Sequence, residues 1–392
     1  MKKEGMVRVS TILLVLVLVL GLTACGAQDA ASTSSSVPAT TAAPVASSAP
    51  VTQEKAVEAA RQGSALEFTD MGKYKKEPGY KIGYSFHGGG ISFDIESINA
   101  FKWVAEEKFG VVIDELYVTE AQFDVAKQIS DIEDMLVKGI DGLVVSPTSP
   151  TAIIPVIDKL HDQGIPVVVV LGEYDGSKFT AYRATDAQAF GRVGAEWLVE
   201  KLTEKNGAPK GDIIAIRGVA GAAADVGRWE RGAKPVFDSY PDIKVVGEGQ
   251  GLWAYDEGRR VAESLLTAHP DVDGIWSCGG QMSLAAAEVI EEKGLDLIPI
   301  TGEDYNGFYK YWVANKDRGF TSISPTYPSW IATEGLDTLI SVLMGESVVK
   351  TLLYPPPMVT DDTVENYVAP DLPDSIWVAT SVPHEILKQW YK

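Results

Sequence analysis

Cysteine and histidine are scarce in this chain, with two and four among 392 residues. One cysteine, Cys25, stands near the amino terminus, so Cys278 is the only thiol in the remainder and no intramolecular disulfide can form there. Cys278 ends the apolar run Gly274-Ile275-Trp276-Ser277-Cys278 and reads as a small buried residue rather than a nucleophile. No His-x-x-x-His or Cys-x-x-Cys spacing offers a metal site, and no Gly-x-Ser-x-Gly elbow offers a serine nucleophile. His161 lies in a polar helical stretch and His269 precedes Pro270, so neither has a catalytic setting. Positive charge is short as well: 34 Lys and Arg face 54 Asp and Glu, a formal net charge of -20. That balance excludes nucleic acid and anionic membrane surfaces as partners. No enzyme, metal or cofactor is expected.

The ends carry their own information. Lys2 and Lys3 precede an apolar run, residues 12–22, too short to span a bilayer as a mature helix. It reads as an export signal over residues 1–24. The run closes in Leu22-Thr23-Ala24-Cys25-Gly26, which looks like a bacterial lipobox and implies lipid on Cys25. Residues 25–53 are then rich in Ala, Ser, Thr, Pro and Gln, with too little apolar surface to fold, and read as a tether.

About 320 residues remain, too many for one simple core. From Tyr80 onward short β-branched runs alternate with segments of helical period. Strands are expected at 81–85, 111–113, 143–145 and 166–171, with helices between them. The alternation restarts with strands at 212–216, 244–246, 274–276 and 298–301, and helices at 255–268 and 283–293. A last strand at 320–324 precedes a helix at 329–344. Nearly continuous apolar strands require a parallel sheet covered on both faces. The fold class is α/β, with two doubly wound parallel-sheet lobes and a cleft at their carboxyl edges, where ligands bind in such sheets. Ser85, Ser146 and Glu173 fall at those edges.

Three segments in this order, Lys138-Gly139-Ile140-Asp141-Gly142-Leu143-Val144-Val145-Ser146-Pro147-Thr148, Gly164-Ile165-Pro166-Val167-Val168 and Leu265-Leu266-Thr267-Ala268-His269-Pro270-Asp271-Val272-Asp273-Gly274-Ile275, carry a resemblance. Over about residues 79–346 the chain resembles the type I periplasmic-binding-protein family, in its ribose- and galactose-binding branch. The resemblance implies two lobes joined by a three-segment hinge that close on a ligand. The crossings map near Ala184-Thr185-Asp186, near Ser324-Pro325-Thr326 and after Gly345. The first lobe would hold residues 79–184 and about 326–346, the second 185–325 and about 347–392. The implied partners are a small polar solute, a sugar or sugar-like compound, and the permease of an ABC importer. The protein would be a monomer held by Cys25 on the outer face of the cell membrane. A module presenting its solute to a membrane sensor kinase is the alternative.

The site residues follow from that mapping. Asp304, in Thr301-Gly302-Glu303-Asp304, falls where the family resembles a strand ending in a ligand-binding aspartate; it also suits a helix N-cap. Arg228 and Arg231 surround the place of a family arginine three residues before a glycine, which here is Trp229. Either Arg228 serves from one position away, Trp229 supplies a stacking face, or the arginines are a solvated pair. His87 and Phe93 flank three glycines in the loop after the first strand, where relatives touch the sugar. Trp253 matches a family aromatic at a strand end. Glu173 and Gln281 stand near positions where relatives carry an aspartate and an asparagine. Thr326, Tyr327 and Trp330 belong either to the cleft wall or to hinge packing. These departures point away from simple ribose or glucose toward a larger, aromatic or less hydroxylated solute.

Overall fold

The computed structural model describes residues 66–391. The export signal, Cys25 and the tether lie outside the described residues. The first half of the fold runs β1 (Tyr80–Phe86), α1 (Ser92–Glu107), β2 (Ile113–Glu120), α2 (Val125–Val137), β3 (Gly142–Val145), α3 (Ile154–Asp162), β4 (Val167–Val170) and β5 (Ala181–Thr185). The alternation then resumes with α4 (Ala187–Asn206), β6 (Gly211–Arg217), a continuous helix α5 over residues 223–238, β7 (Ile243–Gln250), α6 (Tyr255–Ala268), β8 (Gly274–Ser277), α7 (Gly280–Glu292), β9 (Ile300–Thr301) and α8 (Asn306–Asn315). The chain ends with β10 (Ser322–Pro325), α9 (Trp330–Leu343), β11 (Thr351–Tyr354), β12 (Met358–Thr360) and α10 (His384–Trp390).

These strands make two six-stranded sheets of the same order, β11-β5-β4-β3-β1-β2 and β12-β10-β9-β8-β6-β7. All pairings in the first are parallel; in the second only β12 runs antiparallel, against β10. The sequence reason is visible in β3 and β4, whose residues are all buried. Leu143, Val145, Val167 and Val169 join the cluster formed with α2 and α3, while Val144, Val168 and Val170 join the one formed with α1 and α9. Each such side chain is worth about 1.5–3 kcal/mol on burial. With both faces covered, only the strand ends are left to carry function.

Two expectations need correction. The second strand is not residues 111–113: Val111 is 92% exposed, and β2 starts at Ile113. An edge strand has a single strand neighbour and is half-exposed here, so its sequence carries polar residues and hides from an apolar-run reading. The first sheet also does not end near residue 346, because β11 extends it by pairing with β5. The third crossing is therefore the stretch between Tyr354 and Met358. The crossings lie side by side, with Asp186 N donating to Tyr354 O and Thr326 N to Pro357 O. Ahead of β1, residues 67–76 are stitched to the same lobe: Thr69 N donates to Val348 O, Lys76 N to Leu343 O, and Lys350 N to Glu67 O.

Helix α5 is π-helical over Val226–Ala233, a widened turn of the kind common at functional sites. It lies against α4 with no room to spare. A Cβ on Gly191 would sit 1.7 Å from Arg228 O, whereas one on Gly194 would meet nothing closer than 3.5 Å. Gly191→Ala should therefore lower stability in urea unfolding by about 3 kcal/mol, since backbone must move. Gly194→Ala should be neutral or stabilising by up to about 1 kcal/mol from helix propensity. Equal effects of the two would show that the close approach is not what holds α5.

Candidate functional site

The carboxyl ends of both sheets meet in a cleft enclosing about 680 Å³ of atom-free space, mouth included. Two of its aromatic walls are built by the same device. At the end of β2, Gln122 and Phe123 have φ of 54° and 59°; at the end of β7, Leu252 and Trp253 have φ of 55° and 52°. Each pair forms the centre of a tight turn, closed by Asp124 N to Ala121 O and by Ala254 N to Gly251 O, both 2.9 Å. Positive φ at non-glycine residues costs on the order of 1–3 kcal/mol each. In each lobe the strained position presents an aromatic ring, Phe123 or Trp253, to the cleft. Trp253 also depends on Gly218, where a Cβ would come within 2.2 Å of its ring.

The charged groups come from helix starts and strand ends. Asp94, in the first turn of α1, accepts from Gly89 N at 2.7 Å through Oδ2. Its Oδ1 is buried without a partner among the described residues, and burial raises the carboxyl to about 7. Arg228 reaches in from the π-helical turn. Its Nη2 pairs with Glu303 Oε1 at 2.8 Å, its Nη1 donates to Cys278 O at 2.7 Å, and its guanidinium lies over the rings of Phe190 and Tyr327. Both members of this ion pair are buried, so removing either would strand the other at about 3–5 kcal/mol. Burial pushes the Glu303 carboxyl up to about 7 against the pull of Arg228. His87, hydrogen-bonded through Nδ1 to Ser146 Oγ, is lowered to about 4 by burial and is neutral at physiological pH. Among the described residues no group of three His, Cys, Asp or Glu side chains is placed to hold a metal ion. The buried Cys278 thiol is raised to about 12 by its desolvation.

Of the residues expected in the site, His87, Phe93, Arg228, Trp253 and Tyr327 line the cleft. Ser85 and Ser146 lie beneath its floor, where Gln128 Nε2 donates to Ser85 Oγ and to Ser146 O. Glu173 joins the lobes instead, pairing with Arg231 of α5, a partly exposed pair. Gln281 also crosses between lobes, donating to Ser92 Oγ at 2.6 Å. Trp229 turns away from the cleft into the core, its ring 4.9 Å from that of Trp276 and 1% exposed. Thr326 is buried in the second crossing, and Trp330 packs on Tyr354 within the first lobe. Asp304 faces the hinge: Oδ1 accepts from Tyr327 N at 2.9 Å and Oδ2 from Ala379 N at 3.2 Å. The carboxylate that faces the cleft is its neighbour, Glu303.

Several lining residues were not singled out from the sequence. Phe123 could have been found by comparing the halves, since Ala121-Gln122-Phe123-Asp124 occupies the place of Gly251-Leu252-Trp253-Ala254. Asp94 stood within the loop segment considered there, and the structure puts it on the cleft wall. Trp377 had no local signal, because it arrives from a carboxy-terminal stretch with no counterpart in the first half.

A family model described as a periplasmic binding protein domain matches residues 82–347. The chain is 29% identical over 241 residues to the ribose import binding protein RbsB of Bacillus subtilis (strain 168), covering 61% of this chain and 74% of that one. It is 25% identical over 252 residues to a xylitol-binding protein of Mycolicibacterium smegmatis, covering 64% and 70%. Among solved structures, the periplasmic binding protein component of the arabinose ABC transporter from Shewanella sp. ANA-3, bound to alpha and beta-L-arabinofuranose, superposes with a TM-score of 0.63 at 25% identity, covering 73% of this chain and 93% of that one. These relatives are binding proteins rather than enzymes, and among the described residues no helix is long and apolar enough to cross a membrane.

The carboxylates around the cleft make a pH signature. Glu96 of α1 is wholly buried, accepting from Trp377 N at 2.9 Å and Ser329 Oγ at 3.2 Å, and burial, with Asp304 nearby, raises it from 4.5 to about 8. A carboxyl with a raised folded pKa contributes stability below 4.5 that is lost as pH rises through about 8. His87 works the other way, losing its contribution only as pH falls from 6.5 through about 4. Between about pH 6.5 and 8.5 the carboxylates alone should act, so Tm should fall across that window. Glu96→Gln should flatten the fall; an unchanged slope would remove Glu96 as its source.

Proposed function

The chain belongs to the periplasmic binding protein domain family, and on that footing we propose that it is an extracytoplasmic solute-binding lipoprotein of an ABC importer. In this reading it closes on a monosaccharide-sized sugar or polyol and presents the closed form to a permease, with no chemistry of its own. Lipid on Cys25, after the apolar run 12–22, would hold it at the outer face of the membrane.

The observation that carries the reading is the pairing of aromatic walls with an unspent acceptor. Phe123 and Trp253 offer flat apolar faces from opposite lobes, and Asp94 Oδ1 is a buried acceptor without a partner among the described residues. A polyol has what this needs, hydroxyl donors on one edge and carbon-bound hydrogens on a face. The names of the relatives, ribose, xylitol and arabinofuranose binders, fit the same class. Closure follows from thermodynamics. A solute touching both lobes only when they meet shifts the population toward the closed form, to which the Glu173–Arg231 pair and the Gln281–Ser92 hydrogen bond belong. Neither contact is strong enough to hold the lobes shut alone.

A thermal-shift screen of the purified protein against pentoses, hexoses, polyols, nucleosides and amino acids tests this. A cognate sugar or polyol at about a thousand times Kd should stabilise the protein by about 4 kcal/mol, a rise of several degrees. Asp94→Asn should weaken that ligand about tenfold or more, by loss of a charge-assisted hydrogen bond. Stabilisation by amino acids or nucleosides alone would overturn the sugar assignment, and an unchanged affinity in Asp94→Asn would remove Asp94 from the contact set.

A further inference from the structure

The matched family span stops at residue 347, yet the cleft is not complete without the chain beyond it. After β12 the chain runs over the joint between the lobes and is gripped by each. On the second lobe, Asn306 Nδ2 donates to Ala369 O at 2.9 Å and Pro373 O at 3.0 Å, its Oδ1 accepts from Ala369 N at 2.9 Å, and Lys310 Nζ donates to Leu372 O. On the first lobe, Leu372, Ile376, Val382 and Leu387 pack with Ala100 and Trp103 of α1. At the hinge, Val378 N donates to Asp304 O and Ser329 N to Ala379 O, both at 3.0 Å.

Trp377 stands at the centre of this path. It is 2% exposed, lines the cleft, and meets Phe93 edge-on at 5.3 Å. Its indole N–H donates to Ser92 Oγ at 2.9 Å, and the same oxygen receives Gln281 Nε2 from the second lobe at 2.6 Å. A hydroxyl oxygen has two lone pairs, so Ser92 is saturated by one donor from the carboxy-terminal stretch and one from the opposite lobe. The indole has then no donor left for a ligand and offers only its carbon edge.

We infer that residues 364–391 form a fourth interlobe connection, a strap that fixes Trp377 as a specificity-determining wall and couples its placement to closure through Ser92. The wall selects a solute edge of carbon-bound hydrogens, a deoxy or methyl position, over one bearing a hydroxyl. This rests on the cleft being the solute site, as proposed above.

The test uses Trp377→Ala and Trp377→Phe with whichever ligand the thermal-shift screen returns, sugar or not, together with its deoxy and hydroxylated analogues, by calorimetric titration. Trp377→Ala should bind the cognate ligand at least tenfold more weakly and narrow its preference for the deoxy over the hydroxylated analogue. Trp377→Phe, which keeps an apolar edge but not the N–H to Ser92, should keep the preference for the deoxy over the hydroxylated analogue while binding both more weakly, a split that loss of packing alone would not produce. Unchanged affinity and ranking in Trp377→Ala would overturn the inference, whatever the ligand's class. Hydrogen exchange on the wild-type protein decides if no compound binds or a variant fails to fold. Amides of Trp377, Val378 and Ala379 should be protected to the degree of the hinge amide of Tyr327. Free exchange of the three would sink the strap even where a sugar is bound.

Discussion

One buried carboxylate holds the joint on which everything else turns. Asp304 is wholly enclosed, and burial raises its pKa, yet both oxygens are spent on backbone N–H groups, one from the second crossing and one from the carboxy-terminal stretch. Burying a carboxylate is costly unless hydrogen bonds replace its water. Here the replacement ties two separate pieces of chain to the end of a strand of the second sheet. Glu303 is the next residue toward the cleft and Arg228 is its partner, so the placement of that ion pair descends from the Asp304 junction.

That junction also explains where reading the sequence succeeded and where it misled. The two sheets, their parallel sense and the edge on which the cleft opens were legible because β3, β4 and β8 are short, fully buried apolar runs between helices of clear period. The edge strands were read only in part: the 244–246 run fell inside β7 but not its polar end, β2 was placed too early because it mixes polar and apolar residues, and β11 and β12 are brief. Around the cleft, residue type identified a neighbourhood but not a direction. Glu303 and Asp304 are adjacent carboxylates at one strand end, and Arg228 and Trp229 are adjacent on one helix; in each pair one residue faces the cleft and the other faces hinge or core. Which one is decided by a π-helical turn and by long-range hydrogen bonds, neither of which leaves a mark in local composition.

The aromatic walls show a different economy. Two turns of the same shape, each strained at two successive residues, carry Phe123 and Trp253 at matching ends of matching strands. The backbone of such a turn is fixed by its own hydrogen bond and by the strand before it, while the Trp253 ring also rests against Gly218 and donates its indole N–H to Cys278 O. The cleft therefore combines two rings whose backbone is set by a local turn with one, Trp377, whose backbone and side chain are both held by distant partners.

The stitching of residues 67–76 onto the back of the first sheet makes the two lobes unequal. Its hydrogen bonds fall beside Val348 and Lys350, next to β11, which pairs with β5 in the first sheet. The segment ahead of β1 thus belongs to the first lobe, and the second is joined to that lobe by the crossings, by the carboxy-terminal stretch and by the Glu173–Arg231 and Gln281–Ser92 contacts. Asp94, His87 and Phe123 therefore line the cleft from the lobe that carries the amino-terminal segment, and Trp253, Arg228 and Glu303 line it from the other.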